Sequence, residues 1–222
     1  SDMPALLIAM LSMIMNVYPV TDGVFDFDSV QIPYTPLETL NWPGAYPYKP
    51  ATSIRAAYSQ HALFLQFRVT EEAVLATYED DATARSWEDS CVEFFVQPSA
   101  DRPDYYNFEF TCIGTCLMGR GTGRAGRYRY PVDVTSRIER HSTLGNKAFG
   151  LKQECTEWVL TVVIPWSIFD ECETPIAGRT MKANFYKCGD KTPVPHFVSW
   201  SPVLTAKPDF HRPEYFGTLL FR

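Results

Sequence analysis

Apolar and polar residues alternate along much of this chain with the period of two that a half-buried strand requires. In "SIRAAYSQHALFLQFRV", residues 53–69, two such runs flank Ser59-Gln60-His61, and Leu63, Leu65, Phe67 and Val69 share one face, which predicts a hairpin. "CVEFFVQP" (91–98) predicts a strand with Val92, Phe94 and Val96 inward, ended by Pro98. "YYNFEFTCIG" (105–114) predicts another, with Tyr106, Phe108, Phe110 and Cys112 inward. A longer strand is expected in "EWVLTVVIPWSIF" (157–169), and shorter ones in "RTMKANFYKCGD", "PHFVSWSPV" and the C-terminal "PDFHRPEYFGTLLFR". Short alternating strands separated by turn residues predict an all-β fold, an antiparallel β-sandwich of jelly-roll or immunoglobulin-like type.

Strand parity also places polar groups. If Val92 and Phe94 face the core, Glu93 faces the other way; if Phe108 and Phe110 face the core, Asn107 and Glu109 face outward. Should the two strands be neighbours, Glu93 and Glu109 share one polar face with Asn107. Trp87 opens the same stretch, "RSWEDSCVEFFVQP". Acids and amides beside an aromatic plane suit a sugar: they hydrogen-bond its hydroxyls while its apolar C–H face stacks on the ring. The same glutamates could serve a glycosidase as acid and nucleophile, held about 5–10 Å apart across the scissile bond. They could also be solvated or paired with arginine.

Composition narrows the class. At 222 residues, with 15 Phe, 12 Tyr and 17 Pro, the chain can bury a full core and favours strands and structured loops. A net charge of −6 argues against a nucleic-acid surface, which would be basic. The six cysteines lack a second short-spaced pair beside Cys112 and Cys116, so no zinc site is expected, and mostly free buried thiols are. "PALLIAMLSMIMNV" (4–17) is too short to span a bilayer and lacks the basic flank of a secretion signal. It is read as an apolar N-terminal segment, residues 1–24, docked on the domain or on a neighbouring copy, ahead of one domain over 25–222.

Other chemistry is thin. The arginine- and glycine-rich "GRGTGRAGRYRY" (119–130) reads as a solvated hairpin loop. His61 falls in a turn and His141 in a polar loop, while His196 and His211 flank aromatic, Pro-rich segments where packing or capping is the usual role. No Ser-His-Asp order and no HExxH pattern is present. Glu79, Asp80 and Asp81 offer oxygens to calcium without the spaced loop of a calcium motif.

At "WEDSCVEFF", "YYNFEFTCIGT", "NFYKCGD", "HFVSWSPV" and "PDFHRPEYFGTLLF" the chain resembles the family 9 carbohydrate-binding modules of the DOMON-like β-sandwich group, in their Bacteroidetes-type branch. The resemblance covers roughly residues 25 to 222. It implies two aromatic side chains clamping a terminal sugar while acidic, amide and basic groups bind its hydroxyls. Trp87 stands in the place of the first clamp, and Glu93, six residues on, in that of the sugar-binding glutamate. Phe210 takes the place of a second clamp that is tryptophan in the family pattern. Glu109 falls near a family arginine, a reversal of charge, and the polar amide position falls on Tyr186 or Lys187. The family's structural calcium ligands have no clear counterparts, so no metal ligand is carried over and a structural calcium stays open.

The expectation is a non-catalytic carbohydrate-binding protein whose partner is a mono- or oligosaccharide. Trp87 and Phe210 stack the sugar; Glu93, Asn107 and Glu109 hydrogen-bond it, with Tyr186, Lys187 and His211 at the periphery. The alternatives are a glycosidase or lyase using the glutamate pair, and an interaction domain whose apolar N-terminus mediates self-association. No cofactor, nucleic acid or membrane span is expected. The resemblance implies a periplasmic or extracellular location, free thiols a cytoplasmic one.

Overall fold

A computed structural model describes residues 13–23, 26–170 and 174–222. The strands of the first half are β1 (Ile14–Pro19), β2 (Thr35–Pro36), β3 (Thr39–Leu40), β4 (Ala51–Tyr58), β5 (Ala62–Glu71), β6 (Val74–Ala76), β7 (Cys91–Gln97) and β8 (Tyr105–Thr111). Those of the second half are β9 (Cys116–Gly121), β10 (Tyr128–Arg129), β11 (Glu139–Ser142), β12 (Gly150–Lys152), β13 (Thr156–Pro165), β14 (Thr180–Cys188), β15 (Phe197–Ser199) and β16 (Gly217–Phe221).

Two sheets face each other. The first runs β10-β9-β8-β7-β14-β16, with β15 and β3 continuing beside the far half of β14; the second runs β4-β5-β13-β11, with β2 on β4. Strand β1 joins them, pairing through Ile14–Val17 with β16 and through Tyr18–Pro19 with β4. Both pairings are parallel, the departure from the all-antiparallel expectation. Met15 and Val17 are buried in the common core, so part of the apolar N-terminal stretch is a strand of the sandwich. Residues 1–12 of that stretch, with the docking and self-association expected of them, lie outside the described residues.

The alternation read from the sequence fills the core. From the first sheet come Val92, Phe94, Val96, Tyr106, Phe108 and Phe110; from the second, Leu63, Leu65, Phe67, Val69, Trp158, Leu160 and Val162. Fully burying each such side chain is worth about 1.5–3 kcal/mol. The 53–69 hairpin forms as expected, β4 against β5. Cys91, Cys112, Cys116 and Cys188 are buried free thiols and Cys155 an exposed one; Cys172 lies outside the described residues.

The first sheet does not expose its outer face to water. Loops carrying Trp42, Val203, Phe210 and Phe216 cover it, and these side chains pack on Phe95, Tyr105 and Tyr186 in a second apolar cluster. A gap in that cover leaves the strand residues of β7, β8 and β14 at the bottom of a cleft.

Candidate functional site

The cleft has a volume of about 440 Å³ and is lined by Trp87, Glu93, Asn107, Glu109, Phe210 and His211, together with Phe95, Asp190, Phe197, Asp209 and three arginines. Six of the eight residues singled out from the sequence therefore meet in one place. Antiparallel pairing of β7 with β8 sets Glu93 directly opposite Glu109, and Asn107 follows two residues along on the same face.

Trp87 lies in a turn of 3-10 helix, Ser86–Glu88, just before β7. The neighbouring acids hold that turn. Glu88 accepts from Tyr78 Oη and Arg85 Nε and pairs with Lys191 Nζ at 2.9 Å. These partners, the Tyr78 hydroxyl foremost, bring its carboxyl down to about 2. Asp89 Oδ2 accepts from the backbone N–H groups of Thr77 and Tyr78. The Asp190 N–H donates to the Trp87 carbonyl at 3.0 Å, tying the backbone of this turn to the chain just after β14.

Phe210 also lines the cleft but is itself almost buried, 9% exposed. Its ring stacks on Tyr186 at 4.1 Å and packs near Trp42 and Phe197. Tyr186 is thus behind Phe210, fully buried, with its hydroxyl donating to the Phe210 carbonyl at 3.2 Å. His211 lies beside Phe95 and meets the Tyr105 hydroxyl at 2.8 Å through Nδ1. Burial, then the charges of Arg127 and Arg124, bring its imidazole down to about 3, so it is neutral.

The floor is a directed polar chain. Arg127 donates through Nε and Nη2 to Asn107 Oδ1 at 3.0 and 2.8 Å, and its guanidinium lies over the Tyr105 ring. Asn107 Nδ2 in turn donates to Glu109 Oε1 at 3.2 Å. Glu109 Oε2 is buried and has no partner. Burial raises the Glu109 carboxyl to about 7, opposed by the Asn107 hydrogen bond and by the charges of Arg127 and Arg129. Glu93, 3% exposed, is pushed well above the usual carboxylate range by burial and then by Cys188 and Glu109 beside it. Close approach matters at Gly119, where a Cβ would stand 2.5 Å from Asn107 Oδ1 and 3.2 Å from the Tyr128 carbonyl.

Two sequence expectations are corrected. Lys187 does not reach the cleft: it shares the parity of Phe185 and points into the space between the sheets, 0% exposed. There its Nζ lies 3.3 Å from Glu71 Oε2 and 2.7 Å from His196 Nε2, and donates to the Cys188 carbonyl. A buried ammonium is tolerated because this set of partners replaces its water. The arginine-rich loop, in turn, is not simply solvated. Arg127 is tied into the floor as described, and Arg129 Nη2 donates to the carbonyls of Asp81 and Ala84. The charges of Arg127 and Arg129 act on Glu109, the position where the resemblance puts an arginine. Asp81 is also occupied, its two oxygens accepting from Arg140 and Thr135 and from the Cys116 N–H.

The chain is thus a β-sandwich with a cleft lined by aromatic rings, two acids and an amide. Comparison with known families makes the class specific. The profile of carbohydrate-binding family 9 matches residues 22–221, and the chain belongs to that family. A Bacteroides uniformis protein assigned as carbohydrate-binding is 38% identical, with a TM-score of 0.87 over 94% of this chain and 99% of that one. A family 9 module from Caldicellulosiruptor kristjanssonii in complex with cellotriose shares the fold at 14% identity and a TM-score of 0.60, covering 94% of this chain and 93% of its own. A family 9 module from the same organism in complex with glucose does so at 17% identity and 0.54, covering 94% and 95%. Comparison with curated protein sequences found no significant match.

Proposed function

We propose that the cleft binds a mono- or oligosaccharide without transforming it. The observation that carries this reading is Glu109 Oε2, a buried acceptor without a partner at the floor of an aromatic-walled cleft. Leaving such an oxygen unsatisfied costs about 1–3 kcal/mol, which a donor from a bound ligand recovers. A sugar hydroxyl is such a donor. The Arg127–Asn107 chain fixes the carboxylate before the ligand arrives, so little orientation has to be bought on binding. Trp87, only partly buried, offers an apolar face to the ring, and Phe210 adds the small part of its side chain that lines the cleft. The relatives that hold cellotriose and glucose support the same ligand class.

The glutamate pair supports binding over hydrolysis. Glu93 and Glu109 are side by side on adjacent strands of one floor, whereas glycosidase carboxyls flank the bond they cleave. Screening the protein on a glycan array tests the reading. Wild type should bind a restricted set of glycans that Trp87→Ala no longer retains. Failure of the folded wild type to bind any glycan overturns it, and release of reducing sugar from oligosaccharides would replace binding with catalysis.

A further inference from the structure

One of the cleft's acids, Glu93, has two thiols beside it that sugar binding does not use. Cys91 and Cys188 are directly opposite each other across β7 and β14, and Glu93 is two residues from Cys91 on the same face. Cys91 and Cys188 Sγ and a Glu93 carboxylate oxygen all lie within 4.8 Å of one another. The Cys188 thiol donates to Glu93 Oε1 at 3.0 Å. All three residues are at least nine-tenths buried. Strand geometry fixes the arrangement, because register neighbours and i, i+2 residues project from the same side of a sheet.

We propose that Cys91, Cys188 and Glu93 form a binding site for Zn2+ at the back of the cleft. Tetrahedral zinc holds thiolate sulfur at about 2.3 Å and carboxylate oxygen at about 2.0–2.2 Å, which sets its ligand atoms roughly 3.5–3.8 Å apart. Three donors gathered within 4.8 Å need only small side-chain adjustments to meet that spacing. Two sulfurs and one oxygen favour zinc or cadmium over magnesium and calcium, which take oxygen ligands alone. Cys188 and Glu93 also line the cleft, so the fourth position opens toward it and is filled by water or another donor from that side. Each thiol gives up its proton to solvent as its S–Zn bond forms, and Glu93 binds as the carboxylate; no oxidation or reduction takes place. Sequence spacing hides this site, since 97 residues separate Cys91 from Cys188 and register alone brings them together. The site shares Glu93 with the sugar cleft, and it is tested without sugar so that its failure and that of the sugar reading are distinguishable.

Reduced, metal-free protein is titrated with Cd2+ as the probe and then with Zn2+ in competition. The expected result is one ion per chain, a thiolate-to-cadmium charge-transfer band, and displacement of cadmium by zinc. Cys91→Ser and Cys188→Ser should each abolish the one-equivalent band, while Cys155→Ser, altering the exposed thiol, should leave it intact. Should the cysteine variants not fold, Glu93→Gln keeps both thiols and is expected to weaken cadmium binding about tenfold or more. Absence of the band in folded wild type overturns the proposal. So does a band that persists in Cys91→Ser and Cys188→Ser, or an affinity that Glu93→Gln leaves unchanged.

Discussion

Replacing Glu109 with Gln separates what the cleft needs for folding from what it needs for binding. The side chain keeps its shape, and the amide oxygen can still accept from Asn107 Nδ2 as Glu109 Oε1 does at 3.2 Å. What is lost is the second carboxylate oxygen, the buried acceptor without a partner. A hydrogen bond from a sugar hydroxyl to a charged acceptor contributes about 1.5–3 kcal/mol and one to a neutral group about 0.5–1.5, so the substitution should cost about 1–2 kcal/mol of binding. That corresponds to a roughly 5- to 30-fold weaker Kd. Stability should move the other way. Because burial raises the folded carboxyl to about 7, above its unfolded value, the wild type loses stability as pH rises through that window, and Gln removes this loss. Calorimetric titration at about pH 8, where the carboxylate is ionised, gives the affinity, and urea unfolding at the same pH gives the stability. An affinity unchanged within about twofold would refute the role of Oε2 as ligand acceptor. Parallel losses of affinity and stability would show that Glu109 supports the fold instead.

Three further outcomes follow from other parts of the molecule. Lys187→Met strands Glu71 between the sheets and should lower unfolding free energy by about 3–5 kcal/mol while leaving the sugar Kd of the folded variant unchanged; lost affinity with full stability would return Lys187 to the site. Gly119→Ala drives a methyl group into Asn107 Oδ1, so it should cost about 1–3 kcal/mol in urea unfolding and weaken sugar binding with it; a neutral result in both would contradict the tight approach of β9 to Asn107. His196 is held neutral, its imidazole brought down to about 3 by burial and then by Lys187, with Glu71 and the Tyr48 ring completing its surroundings. The unfolded chain binds that proton first, so stability should decline as pH falls below about 6.5, by about 2 kcal/mol at pH 5; His196→Gln should flatten the decline in a urea series, and an equal slope in both proteins would oppose it.

The contrast between Glu93 and Lys187 shows how far the sequence carries. Glu93 sits between Val92 and Phe94, and the period of two on β7 determines its face without any knowledge of the partner strands, although Cys91 and Phe95 make that face partly apolar too. The same rule places Asn107 and Glu109, and turn chemistry before β7 places Trp87 at its entry. Lys187 obeys the rule too, in phase with Phe185, yet a lysine invites a solvent-facing reading because its compensation is distant: Glu71 ends β5 and His196 precedes β15. Arg127 was hidden for a similar reason. Besides the nearby Gly123 carbonyl, its contacts are Asn107 and the Tyr105 carbonyl, some twenty residues away. Strand β1 was hidden because parallel pairing with β16 joins the two ends of the chain, a contact with no local signature.

The central claim is that sugar enters between Trp87 and Phe210 above Glu109. Isothermal titration of wild type and Trp87→Ala with soluble mono- and oligosaccharides tests it most directly. Removing the indole forfeits apolar contact worth about 1.5–3 kcal/mol, so Kd should weaken about 10- to 150-fold in the folded variant. Wild-type affinity in Trp87→Ala, or no binding heat from any sugar in the wild type, would contradict it.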